Sequence, residues 1–319
     1  MSMKTAEIKF GGRGKKPLAA GQGKVKRTWD RSNERIRDVM HSAAFLGPSV
    51  TGVAVFFIVP FLVVVYYSII RSPLNPEFVF LDNFKAVLGN SSFRTAAGNT
   101  AMFSAIAVPL AVVLSLGLAL LLECRIPCKS LFRTFFLSPM MVPVASVVLI
   151  WQVVFHYRGT LNVILANFNV EPIDWLNSKY CLLVIVVLFL WKNLGYNMIL
   201  FMAALNNIPK ELLEVADVEG ASAAHKFFNI KLRYLSPTVL FVAILSIINS
   251  FKVFREIYLL VGKYPFDGLY MMQHFMNNTF ENFDYQKMAS AAVLMALVMV
   301  ALIALLFKAE DIFGKDVEG

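Results

Sequence analysis

Lys192, Asn193, Tyr196 and Asn197 stand in the middle of an otherwise apolar run over 181–205, and Ser246, Asn249, Ser250 and Lys252 stand in the later part of a second, over 236–260. Lys192 and Tyr196 are four residues apart, as are Asn193 and Asn197, so on a helix they make two adjacent rows. Ser246, Asn249 and Ser250 share one helical face, with Lys252 one position round. Amides and hydroxyls both donate and accept, which suits a ligand with many hydroxyl groups, each held at modest strength. A lysine at the centre of a span costs about 2.5–3.5 kcal/mol on insertion scales, so Lys192 calls for a wet path or a partner. The two lysines together also fit an anionic solute. The same residue types glue helices to one another, and that structural reading stands beside the binding one.

Nothing else in the chain is equipped for covalent chemistry. A Gly-x-x-x-x-Gly-Lys-Ser/Thr loop is absent, and Gly11-Gly12-Arg13-Gly14-Lys15 has neither its spacing nor a preceding strand. His41, His156, His225 and His274 are scattered near span ends, where a surface role is expected rather than a metal site. Cys124 and Cys128 have no accompanying histidines and make a poor zinc signal; with Cys181 they make no disulfide framework. The expectation is a protein that is not an enzyme and carries no cofactor or metal of its own.

The elements that must position the polar rows are membrane helices. Hydrophobic residues make up 58% of the 319-residue chain and charged residues 16%, well below the roughly one quarter usual for soluble domains. A span needs about 20 apolar residues to cross about 30 Å of hydrocarbon. Six segments qualify: 44–70, 100–122, 134–155, 181–205, 236–260 and 288–307. They lack the alternation of barrel strands, so an all-α fold of six transmembrane helices is predicted. Pro139 and Pro143 remove two backbone donors one turn apart and predict a kink in the third span, as a hinge or as a packing bend. The spans hold lysine and asparagine but essentially no carboxylate expected to be buried, which counts against an ion-driven secondary transporter or channel.

Lysine and arginine placement sets the orientation. With the N-terminus inside, 20 of them fall on the inner side and 8 on the outer, so both termini are expected in the cytoplasm. The +9 net charge follows from this asymmetry and requires no nucleic acid. Residues 1–40 form a Gly/Lys-rich basic tail without an apolar core or cleavage site; disorder and weak attraction to anionic lipid are expected there. Residues 41–319 are expected to form one polytopic domain, with a polar loop over 207–238 between the fourth and fifth spans.

That loop opens with Ile208-Pro209-Lys210-Glu211-Leu212-Leu213-Glu214-Val215-Ala216 and continues through Gly220-Ala221. Pro209 suits a helix start and Gly220 a helix end. Leu212, Val215 and Ala216 are predicted to share an apolar stripe that a partner must cover. Glu214-Val215-Ala216, three residues, Gly220, nine residues, then Ile230-Lys231-Leu232 resembles the E-A-A-x-x-x-G…I-x-L-P loop of permeases in binding-protein-dependent ABC importers. Val215 and Arg233 depart from that pattern. Phe45-Leu46-x-Pro48, the Pro139/Pro143 pair, Gly159-x-Leu161-Asn162 and Ser250-Phe251-Lys252-Val253-Phe254 are similar to the carbohydrate-uptake branch of the same family. Gly262-Lys263-Tyr264-Pro265 stands where that branch usually has Gly-Gly-Pro.

The resemblance implies the type I importer permease fold in a bacterial cytoplasmic membrane. It implies a second homologous permease, ABC ATPase subunits that bind ATP and magnesium, an extracytoplasmic solute-binding protein, and a sugar or oligosaccharide substrate. A uronate oligosaccharide or glycerol phosphate is the alternative. By resemblance, Lys192, Asn193, Tyr196, Ser246, Asn249 and Ser250 lie on the substrate path; Lys252, one position round from that face, is expected there with them. Glu211, Glu214, Ala216, Gly220 and Ala221 couple to the ATPase, with Glu214 near a basic partner. The segment Gln273-His274-Phe275-Met276-Asn277-Asn278 is expected to be a short surface helix that meets the binding protein.

Overall fold

The computed structural model describes Ser42 and residues 44–123 and 127–314. The basic tail, Cys124 and Arg125 lie outside the described residues. Six helices among those described are long and apolar enough to cross a membrane. The chain divides at Leu62/Val63 into two units. In the first, residues 44–62 are helical, with a π-turn at Ala54–Ile58 just before Pro60. They belong to helix α1, Ala44–Ile69.

In the second unit, α2 (Asp82–Gly89) precedes the 33-residue α3 (Ser91–Glu123). Next come α4 (Lys129–Met141), α5 (Val144–Phe155) and the short α6 (Thr160–Ala166). Helix α7 (Cys181–Asn206) is followed by α8 (Lys210–Val218). A π-turn at Lys226–Lys231 leads into α9 (Leu232–Phe251), then α10 (Phe254–Val261). The chain continues with α11 (Met272–Glu281) and α12 (Tyr285–Gly314). Two predicted spans are therefore interrupted. The third breaks at Val142–Pro143, where Pro143 caps α5 with an extended ψ of 139°. The proline ring disfavours a helical conformation in the residue before it, so the expected kink becomes a full break. The fifth breaks at Lys252–Val253, between α9 and α10.

Hydrocarbon surrounds such helices with material as apolar as their side chains, so close van der Waals packing must hold them together. Small residues make that possible. Ala107, Ala111, Ser115 and Ala119 recur every fourth position of α3 and are fully buried. One cluster joins Phe103, Ala107 and Ala111 to Ile185 and Phe189 of α7 and to Ile257 of α10. A second joins Ala119 and Leu122 to Met198, Phe201 and Leu205 of α7 and to Leu235 and Val242 of α9. A third joins Val87, Phe93 and Ala96 to Met272 and Phe275 of α11 and Ala291 of α12. Helix α7 is thus the central post, and its polar row is held at a fixed height between α3, α9 and α10.

Candidate functional site: a polar ladder and an exposed loop helix

The polar row of α7 faces the polar face of α9. Asn197 Nδ2 donates to Ser246 Oγ at 3.1 Å, with both residues buried. One turn along, Asn249 Nδ2 donates to Asn193 Oδ1 at 3.0 Å, and Asn193 Nδ2 donates to the Phe189 carbonyl at 2.8 Å. Ser250 Oγ donates to the Ile247 carbonyl and lies 2.8 Å from Ser104 Oγ of α3. The structure therefore brings Asn193, Ser246, Asn249 and Ser250 together and satisfies them largely through one another. A buried amide left without a partner costs about 1–3 kcal/mol, which is the physical reason these groups pair. Tyr196 is half-buried beside the row. Lys252 ends α9 and is exposed, with no ion pair among the described residues.

Lys192 is paired within the chain. Its Nζ lies 2.5 Å from Glu256 Oε1 of α10, with 22% of the lysine side chain and 8% of the glutamate side chain exposed. This corrects the expectation that the spans hold essentially no buried carboxylate: Glu256 is 6% exposed and lies inside the predicted fifth span. No spacing in the sequence announces this pair. Glu256 follows Lys252 by four residues, and the helix break turns it toward α7 while Arg255 stays exposed.

At the end of the bundle where α3 finishes, Lys231 Nζ lies 2.7 Å from Glu123 Oε2 and ties the loop after α8 to α3. Lys226 pairs with Asp217 of α8. Pro209, with ψ 128°, is the N-cap of α8 rather than its first turn. The helix ends as Gly220 predicted: φ is +79°, Gly220 N–H donates to Asp217 O at 3.1 Å, and Ala221 N–H donates to Ala216 O at 2.9 Å. This pair of bonds satisfies two end carbonyls, and the left-handed residue between them favours glycine. The exposed face of α8 carries Glu211, Leu212, Glu214, Val215 and Val218. Ala216 is buried, and Leu213 packs on the cluster of Leu205, Ile208 and Leu235. The predicted stripe is accordingly corrected: Leu212 and Val215 face out, while Ala216 faces the protein's own core.

The segment predicted as a surface helix is substantially packed inside. In α11, Met272, His274, Phe275, Asn278 and Thr279 are buried. His274 Nδ1 accepts the Met271 N–H at 3.2 Å, and its ring sits edge-on to Phe254 at a centroid distance of 4.6 Å. Burial holds the His274 pKa down at about 4. An imidazole that gives up solvation without meeting a carboxylate stays neutral. Asn162 is also buried; it donates to Tyr157 O and Ile173 O and accepts from Trp175 Nε1, fixing the loop that precedes α7.

Among the described residues, six helices long and apolar enough to cross a membrane define a multi-pass membrane protein. The chain belongs to the binding-protein-dependent transport system inner membrane component family, whose model matches residues 111–318. This is a family of transport permeases, not of enzymes. The arabinooligosaccharides transport system permease protein of Bacillus subtilis (strain 168) is 32% identical over 224 residues, 68% of this chain and 70% of the relative. The trehalose/maltose transport system permease protein of Thermococcus litoralis is 30% identical over 275 residues, covering 84% and 92%. The sn-glycerol-3-phosphate permease protein of Agrobacterium fabrum is 29% identical over 273 residues, covering 82% and 92%. The crystal structure of a bacterial ABC transporter that imports the acidic polysaccharide alginate superposes with a TM-score of 0.75. That match has 17% identity and covers 88% of this chain and 98% of the other, a likeness of fold.

Proposed function

We propose that this chain is the membrane-spanning subunit of a carbohydrate importer, passing a sugar or oligosaccharide along the polar row of α7 and α9. The observation that carries this reading is the exposed apolar and acidic face of α8, which follows the family loop pattern and ends in the left-handed Gly220. A helix so short gains little stability from its own hydrogen bonds, so its outward Leu212 and Val215 need a protein partner to cover them. In this reading the partner is a separate ATPase subunit that binds ATP and magnesium. Glu211, Glu214, Gly220 and Ala221 transmit its closure, with Ala216 anchoring the helix from beneath.

A second permease chain completes the path, and an extracytoplasmic binding protein delivers the solute. Residues 1–40 are a basic cytoplasmic tail and 41–319 the permease domain, with both termini on the inner side of a bacterial cytoplasmic membrane. Relatives that import arabinooligosaccharides and trehalose or maltose support a carbohydrate substrate. Transport is alternating access, in which ATP and solute bias two states by their differential affinity.

The test is ATP hydrolysis by the reconstituted complex with its binding protein, challenged with neutral and then anionic oligosaccharides. Stimulation by either class supports a coupled carbohydrate importer. An assembled complex that responds to neither refutes the carbohydrate reading.

A further inference from the structure

Among the described residues, Glu256 is the one buried acidic side chain. Removing a carboxylate from water costs several kcal/mol, so its position needs a reason. Holding helices together is an insufficient one, because Ile257 and Leu260 of α10 already pack with Ile185 and Phe189 of α7 in one buried cluster, and Gln152 Nε2 of α5 donates to the Leu260 carbonyl. The exposures point elsewhere: the lysine of the pair keeps 22% of its side chain open, while the glutamate keeps 8%. The cation keeps part of its surface open, while the carboxylate is nearly closed off.

We propose that Glu256 is a specificity-determining residue that fills the anion position of Lys192, so that the row accepts an uncharged polyhydroxylated solute and refuses carboxylate, sulfate or phosphate groups. This rests on the reading that the α7 row lines the solute path. An anionic solute reaching Lys192 must displace a carboxylate already in contact with the ammonium, whereas a neutral hydroxyl bonds Tyr196 or the amides without breaking the pair. Lys252 and Arg255 are exposed, so the test must assign any anion binding to Lys192 itself.

The experiment uses the assembled transporter in lipid nanodiscs, titrated calorimetrically with sodium sulfate, maltotriose and trigalacturonate. Glu256→Gln should bind sulfate at least tenfold more tightly than the wild type, and Lys192→Met/Glu256→Gln should lose that gain. A Glu256→Gln complex with unchanged sulfate affinity, or a gain that survives in the double variant, overturns the proposal. Should Glu256→Gln fail to assemble, Glu256→Asp, whose shorter carboxylate loosens the pair, should show a smaller gain; no gain there also overturns it. The wild type should prefer maltotriose to trigalacturonate, and Glu256→Gln should shift that ratio at least tenfold toward the uronate. A wild type that prefers trigalacturonate refutes the proposal and leaves the carbohydrate reading intact. Failure of every form to bind either saccharide, with sulfate behaving as stated, removes the carbohydrate reading and retains the blocked lysine.

Discussion

Gly195 of α7 lies so close to Phe136 of α4 that a Cβ at Gly195 would sit 1.8 Å from the Phe136 carbonyl oxygen. The two helix backbones touch, and no side-chain movement relieves such a contact. Gly195→Ala should therefore lower the stability of the permease by about 1–3 kcal/mol or more, as overpacking does. Gly117→Ala on α3, where nothing lies within 4 Å of the added Cβ, should have little effect. Thermal unfolding of the two variants in detergent checks the contrast; equal unfolding temperatures would contradict the close approach.

Gly220 presents the opposite case. Nothing lies within 4 Å of its would-be Cβ, yet φ is +79°, so any penalty comes from the backbone alone. Alanine there should cost about 1–2 kcal/mol and asparagine less, because a short polar side chain tolerates the left-handed region. Transport-coupled ATP hydrolysis should fall in the order glycine, asparagine, alanine, valine, with membrane levels of the chain unchanged. A valine variant with full transport would separate the turn from coupling.

Opposite faces of α8 should respond differently. Val215→Asp, on the exposed face, should leave permease stability within about 0.5 kcal/mol, as surface changes do, and abolish co-purification with the ATPase subunit. Ala216→Leu, on the buried face, should destabilise the permease itself by about 1–3 kcal/mol. Pull-down and unfolding measured on the same two proteins check both, and a reversed pattern would mean that the helix docks by its other side.

His274 makes a pH prediction. Its folded-state pKa, about 4, lies below the ordinary 6.5 because burial disfavours the cation. The unfolded chain therefore binds the extra proton first, and stability falls as pH drops from about 6.5 to about 4, then levels off. The loss attributable to this residue is roughly 3 kcal/mol over that window. His274→Gln should flatten that part of the stability profile, measured by thermal unfolding between pH 4 and pH 7; an unaltered slope would mean that other groups cause it.

The helices and their order were legible in the sequence because each is set by a local property. Twenty apolar residues specify a span whatever surrounds them, and α3, α7 and α12 run over or beyond their predicted limits. Gly220 announced its own conformation because only glycine enters the left-handed region without strain. The row Lys192, Asn193, Tyr196 and Asn197 was likewise visible from spacing alone.

Pairing across helices was not legible, since it depends on which faces meet. Glu256 reads as a residue near a span end until the break at Lys252–Val253 carries it to Lys192. His274 and Asn278 sit in a sequence that resembles a surface helix, and only packing buries them, His274 against Phe254 and Tyr258 of α10 and Asn278 beside Tyr270 and the Lys263 carbonyl. Ala216 and Val215 are neighbours of nearly equal polarity, so only the docking of α8 on Ile208 and Leu205 decides which one faces out. A six-span helical membrane protein with the family loop follows from local residues, because hydropathy, proline and glycine act over a few positions. Which polar groups satisfy one another and which stay exposed emerges only in the folded chain, because burial and pairing are set by contacts between residues far apart in sequence.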